Sequence, residues 1–166
     1  SARLFAAAGP DVGNDSVASP VRVEFLGRML NEVERTGGLP KTIVYTLNPA
    51  NYYELASMIG NFQGEGGGNG NLMLGAAWWF CDHADGIREQ MRITAATGLL
   101  GRFTGMLTDS RSFTSYARHE YFRRLLCNYV GSLVDGGEYD PAAAETLVRG
   151  VSWDNALRYF GIDPVK

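Results

Sequence analysis

Asp109 and Arg111, in the stretch Gly105-Met106-Leu107-Thr108-Asp109-Ser110-Arg111-Ser112-Phe113, are the side chains of this sequence best suited to a chemical task. They are an acid and a base with one residue between them, and the apolar run 103–107 ahead of them has the composition of a strand. In α/β proteins the carboxyl ends of parallel strands are where ligands bind and chemistry happens. A carboxylate there could ligate a metal or move a proton. A guanidinium could hold a substrate carboxylate through two parallel hydrogen bonds. The competing reading is an Asp/Arg pair that caps the loop, and the spacing alone weighs the two evenly.

Other residues invite the same comparison. Trp78 and Trp79 fall at the end of a second apolar run, where an indole could line a pocket. Side chains alternate along a strand, so only one of the two can point inward. Packing is the alternative for both, because aromatic rings carry much buried area. His83, between Asp82 and Asp85, reads as a surface residue with a small share of the odds for substrate contact. His119 opens a helix, where ordering of the Asp109 loop is the stronger reading. Arg118, Arg123 and Arg124 either position that loop, pair with acids or form a solvated helix face. Asn48 could reach a site, and helix capping explains it equally well.

The elements that must position these residues follow from periodicity. Residues 20–35 read as a helix with Val21, Phe25, Met29 and Val33 on its apolar face, ended by Gly37-Gly38. Residues 42–47 (TIVYTL) read as a strand, and Asn48-Pro49 starts a helix over about 50–61. The range 64–70 is glycine-rich but lacks the lysine and hydroxyl ending of a phosphate loop, so it reads as a surface connection. Residues 72–80 form a strand that is apolar without alternation, which requires cover on both faces. Helices are expected over 85–97, 118–134 and 141–159, with a third strand over 102–107. The first 15 residues read as a loop.

This order, α-β-α-β-α-β-α-α, predicts parallel strands joined by right-handed crossovers. Three parallel strands would leave Leu72-Met73-Leu74 and Trp78-Trp79-Phe80 partly uncovered. The fold class is therefore α/β, as the C-terminal portion of a TIM-like (β/α)8 barrel: its last three β/α units plus terminal helices. The whole of 1–166 is then part of one domain whose N-terminal strands are absent from this chain. A self-associating three-stranded unit is the alternative.

Composition narrows the partners. The sequence has 166 residues, 45% hydrophobic and 20% charged, with a net charge of -3. That balance suits one soluble domain and suggests neither a nucleic-acid nor a membrane partner. No signal-peptide pattern is expected at Ser1, and Cys81 and Cys127 read as reduced thiols of a cytoplasmic protein.

Several stretches together resemble one family. Gly9-Pro10-Asp11-Val12-Gly13 with Asp15-Ser16, Leu39 through Tyr45, Met58 through Gly64, Trp78-Trp79-Phe80, Gly105 through Phe113, Arg118 through Arg124, and Asn155-Ala156 with Arg158-Tyr159-Phe160 occur in order. They resemble the C-terminal part of the uronate (glucuronate) isomerases, divergent members of the amidohydrolase superfamily. The resemblance implies an aldose–ketose isomerase that converts D-glucuronate to D-fructuronate, and D-galacturonate to D-tagaturonate, through an enediol in hexuronate catabolism. It implies Asp109 as metal ligand and proton handler and Arg111 as a substrate-binding group; Trp78 and Trp79 stay candidate substrate contacts from their place at the end of the run alone. It also implies a divalent metal, zinc first, a hexuronate substrate, the remainder of the barrel as partner, and a homo-oligomer as an open option. The family's His-x-His pair is missing from this sequence, so this chain alone is expected to be inactive. The competing functions are a metal-dependent hydrolase of the same superfamily and an inactive structural fragment. A nucleotide-binding domain is a distant third, for want of a phosphate fingerprint.

Overall fold

The computed structural model describes residues 1–10, 12–13, 16–17, 20, 22–63 and 71–164. Asp11 and Asp15 of the first matched stretch, Val21 of the expected helix face and the glycine-rich range 64–70 lie outside them.

A parallel β–α–β unit forms the centre. Strand β1 (Thr42–Val44) pairs with β2 (Leu72–Leu74), Thr42 opposite Leu72 and Val44 opposite Leu74. Outside the ladder, Thr42 donates to the Asn71 carbonyl at 2.5 Å and Gly75 to the Val44 carbonyl at 2.8 Å. The chain leaves β1 through Asn48, whose side chain accepts from the Ala50 amide at 2.9 Å, and Pro49 opens the 3₁₀ turn Pro49–Asn51. The expected Asn-Pro helix start is thus present. Helix α3 (Tyr52–Gly60) then covers the sheet with Tyr52, Leu55, Ala56 and Ile59, a stripe at helical spacing.

Helix α4 (Ala84–Thr97) packs beside α3, and α5 (Ala117–Asp135) beside α4. Met91 and Leu126 have no exposed surface at all. Each such side chain contributes about 1.5–3 kcal/mol through burial. Gln90 is equally buried; its amide donates to the Gly75 carbonyl at 3.2 Å and to Thr94 Oγ1 at 3.1 Å, which ties α4 to the end of β2.

Five expectations need correction. Residues near the start form helix α1 (Ala2–Ala8), which buries nothing; an alanine-rich run has enough intrinsic propensity to be helical without packing. In helix α2 (Val23–Gly37) the apolar face chosen by period four is exposed, Phe25 at 53% and Met29 at 56%. Val23 and Leu30 are buried instead, and Gly27 on that side faces Met58 of α3. The second strand ends at Leu74, and the backbone beyond turns at Phe80, whose φ is +63°.

The third strand is also absent from the sheet: 102–107 has no ladder partner among the described residues. Instead a 3₁₀ turn at Leu100–Arg102 precedes it, and Gly105, with φ at +80°, breaks the extended run. The segment still lies against the core, with Phe103 buried and Thr104 donating to Met73 Sδ at 3.6 Å. Finally, the single helix expected over 141–159 is divided. Helix α6 (Pro141–Arg149) and helix α7 (Asn155–Phe160) are joined by a π-helical turn, Gly150–Asp154.

That turn has a clear use, since extra residues in a helix re-aim side chains. Asn155 points inward and its amide donates to the carbonyls of Gly101 (2.9 Å) and Phe103 (2.8 Å), while its Oδ1 accepts from Arg158 at 2.5 Å. The carbonyls of a segment without strand partners are satisfied in this way. Asn155→Leu should therefore lower stability by about 1–3 kcal/mol, because the buried Phe103 carbonyl and the more exposed Gly101 carbonyl lose their donor. Urea unfolding of the protein carrying this segment checks it, and an unchanged midpoint would refute the role.

Candidate active site

Trp78 and Asp109 meet although 31 residues apart: the indole Nε1–H donates to the Asp109 carboxylate at Oδ2. Trp78 arrives there because the chain runs straight on from β2, then closes a turn in which the Cys81 amide donates to the Trp78 carbonyl at 2.7 Å. The indole packs edge-on against Tyr45, ring centres 5.9 Å apart, at the exit of β1. Tyr45 in turn needs Gly75 beside it, since a Cβ at Gly75 would lie 2.3 Å from its ring. Burial pushes the Tyr45 hydroxyl above its ordinary pKa, so this ring flanks the site as a neutral group.

Asp109 stands at φ +45°, a left-handed backbone in which Asp and Asn are the least costly of the ordinary side chains. The carboxylate is exposed, and among the described residues its hydrogen-bond partner is the indole. Indole can only donate, so Trp78 suits the ionised acid and fixes one of its two oxygens. Arg111 is exposed too and has no hydrogen bond or ion pair within the described residues, which leaves its fork open to an outside anion. Behind Arg111, Ser110 and Ser115 share a 2.5 Å hydroxyl contact, and the Ser112 amide donates to Ser110 Oγ at 3.1 Å, so the loop has its own turn structure.

Trp78 meets the acid and Trp79 does not; both lie beyond the end of β2 at Leu74, so strand alternation does not decide between them. Trp79 stacks on Phe80 with centres 4.6 Å apart. His83 is exposed and caps α4, accepting from the Gly86 amide at 3.3 Å through Nδ1. Arg124 pairs with Glu120 on its own helix, as a solvated face would. Arg118 differs, because it reaches Asp82 and the Thr108 carbonyl, one residue before Asp109. Sequence reasoning named Arg118 among the possible anchors of this loop and left the partners open.

Beneath the turn, Cys81 is buried and its thiol donates to the Leu47 carbonyl at 3.6 Å. Burial pushes both the Cys81 thiol and the adjacent Tyr52 hydroxyl above their ordinary pKa values. Neither is set up to ionise, so both belong to the support rather than to the chemistry.

For a metal the donor set is too small. Among the described residues no group of three or more His, Cys, Asp or Glu side chains comes together, and Asp109 stands as a single carboxylate. The residues present do not by themselves fit a resident metal ion. No described helix is long and apolar enough to cross a membrane. Within the described residues the arrangement is an oriented acid, a guanidinium without a partner and aromatic walls, set beside a parallel β–α–β unit.

Comparison with known proteins supplies the family. The glucuronate isomerase family profile matches residues 1–160. Over 162 residues the chain is 51% identical to the uronate isomerase of Caldanaerobacter subterraneus subsp. tengcongensis, covering 96% of this chain and 34% of the relative. It is 52% identical over 162 residues to the uronate isomerase of Caldicellulosiruptor bescii, with the same coverage of 96% and 34%. Among solved structures, uronate isomerase from Thermotoga maritima superposes with a TM-score of 0.84 at 34% identity, over 96% of this chain and 34% of that one. Glucuronate isomerase from Caulobacter crescentus gives 0.81 at 26% identity, over 95% and 32%. The chain belongs to the glucuronate isomerase family and spans about a third of the length of the relatives it matches.

Proposed function

We propose that this chain is part of an aldose–ketose isomerase acting on hexuronates, D-glucuronate to D-fructuronate and D-galacturonate to D-tagaturonate. The observation that carries the reading is the Trp78–Asp109 contact, an acid held at one oxygen and exposed at the other, with the open guanidinium of Arg111 two positions on. Asp109 takes the C2 proton of the open-chain sugar and returns it at C1 by way of an enediol, while the C1 oxygen gains a proton and the C2 hydroxyl gives one up. Arg111 grips the substrate carboxylate with two N–H donors. Trp78 orients Asp109, and Trp79 offers the indole face not stacked on Phe80 to the sugar.

The chain is read as the closing part of a (β/α)8 barrel, with β1 and β2 as two of its strands. The parallel β1–α3–β2 unit and the apolar run leading to Asp109 support that placement. The other two thirds of the relatives' length would supply the rest of the pocket and any further ligands of a divalent metal, of which Asp109 would be one. The two cysteines are unbridged, which suits a reducing cytoplasm.

The test uses the longer natural chain that contains this segment. Arg111→Lys should raise KM for D-glucuronate by about 10-fold or more with a smaller change in kcat, because an ammonium cannot make the two-pronged contact. An unchanged KM would remove Arg111 from the substrate site.

A further inference from the structure

One guanidinium ties together both halves of the site. Arg118, in the first turn of α5, donates from Nη1 to the Thr108 carbonyl at 2.6 Å and from Nη2 to the Asp82 carboxylate. Thr108 directly precedes Asp109. Asp82 directly follows Cys81, whose amide closes the turn onto the Trp78 carbonyl. The two arms of the fork therefore end on the two segments whose side chains meet in the Trp78–Asp109 hydrogen bond.

We propose that Arg118 is a positioning residue for this site, holding the backbone of Asp109 so that its carboxylate sits under the Trp78 indole. The kinetic half of this proposal rests on the isomerase reading. Three observations support it. Asp109 occupies a left-handed conformation, a low-cost one for aspartate but still a minority state that a fixed backbone neighbour favours. The segment 103–112 has no ladder to fix it among the described residues, so side-chain bonds must do so. And α5 is a firm base, since Phe122, Leu125, Leu126 and Val130 are buried against the rest of the core. Asp82 and Arg118 are each about one-third exposed (30% and 32%), so the bridge sits at the rim of the site rather than in open solvent. A lysine could satisfy either acceptor but not span both in a fixed plane.

The longer natural chain is again the material, with Arg118→Lys, Arg118→Ala and Asp82→Asn. Two readouts are needed: kcat against KM for D-glucuronate, and the indole ¹H–¹⁵N resonance of Trp78, assigned by its loss in Trp78→Phe. Each Arg118 variant should lower kcat about 10- to 100-fold, the cost of a misplaced reacting group. KM should change by less than about threefold, because the substrate clamp is elsewhere. The Trp78 indole signal should shift as its bond to Asp109 is lost, and Asp82→Asn should show the same changes in weaker form. If Arg118→Ala does not fold, Arg118→Lys and Asp82→Asn carry the test. An unmoved Trp78 signal, or a raised KM at constant kcat, would overturn the positioning role. Should the parent chain make no ketose from any hexuronate, the isomerase reading fails, and the indole signal alone then decides for or against Arg118.

Discussion

Asp109→Asn in the longer chain is expected to lower turnover by about 10²- to 10⁴-fold, the range set by a proton-transferring side chain. The substitution is a clean one here. Asn is nearly isosteric and tolerates the left-handed backbone at φ +45°. Its amide oxygen can accept from the Trp78 indole in place of Oδ2, so that hydrogen bond survives. The exposed –NH₂ that replaces the second oxygen cannot accept a proton. Chemistry should fail while folding is untouched, which a thermal midpoint measured beside kcat will show. Near-normal turnover in Asp109→Asn would end the proposed role.

Gly86→Ala should be among the most destabilising additions of a single methyl at the described glycines. A Cβ at Gly86 would lie 2.0 Å from the Cys81 carbonyl oxygen, which is backbone and cannot rotate away. Helix α4 would have to separate from the turn that carries Trp78 and Asp82. The expected cost is about 3 kcal/mol or more, in the range of severe overpacking. Gly131→Ala is the matched control: it lies within α5, a Cβ there meets nothing within 4 Å, and it should gain about 0.5–1 kcal/mol from lower chain entropy. Denaturant unfolding of the two variants should give opposite signs. Equal behaviour would mean that the close approach at Cys81 is not a constraint on the native state.

How legible these features were in the sequence depended on whether the cue was local. Asn48-Pro49 announces a helix start through capping chemistry that operates within two residues, and it is present. The long helix with Leu125, Leu126 and Val130 shows its own period, and α5 agrees with it closely. The third strand misled because 103–107 is apolar and β-like in composition, whereas pairing is a property of neighbours; Gly105 and the Asn155 side chain determine what its backbone does. Helix α2 misled for a related reason. Period four selected Phe25 and Met29, while the contact with α3 lies along Val23, Gly27 and Leu30.

At the site, Asp109 and Arg111 stood out by type and spacing, whereas strand alternation did not apply to Trp78 and Trp79, because β2 ends at Leu74. The Arg118–Asp82 bridge joins residues 36 apart, each ordinary in its own surroundings. Its only prior cue was an arginine at the start of a helix that follows the Asp109 loop. The close packing of Gly86 on Cys81 had no cue at all, since glycine in a helix's first turn is unremarkable without knowledge of what lies against it.

The most direct test of the central claim is product identification. D-glucuronate is incubated with the longest natural chain that contains these residues, with divalent metal added, and the sugar is followed by NMR. The account predicts conversion to the ketose D-fructuronate, with the carbonyl moved from C1 to C2. A folded chain of full family length that forms no ketose from D-glucuronate or D-galacturonate would contradict it.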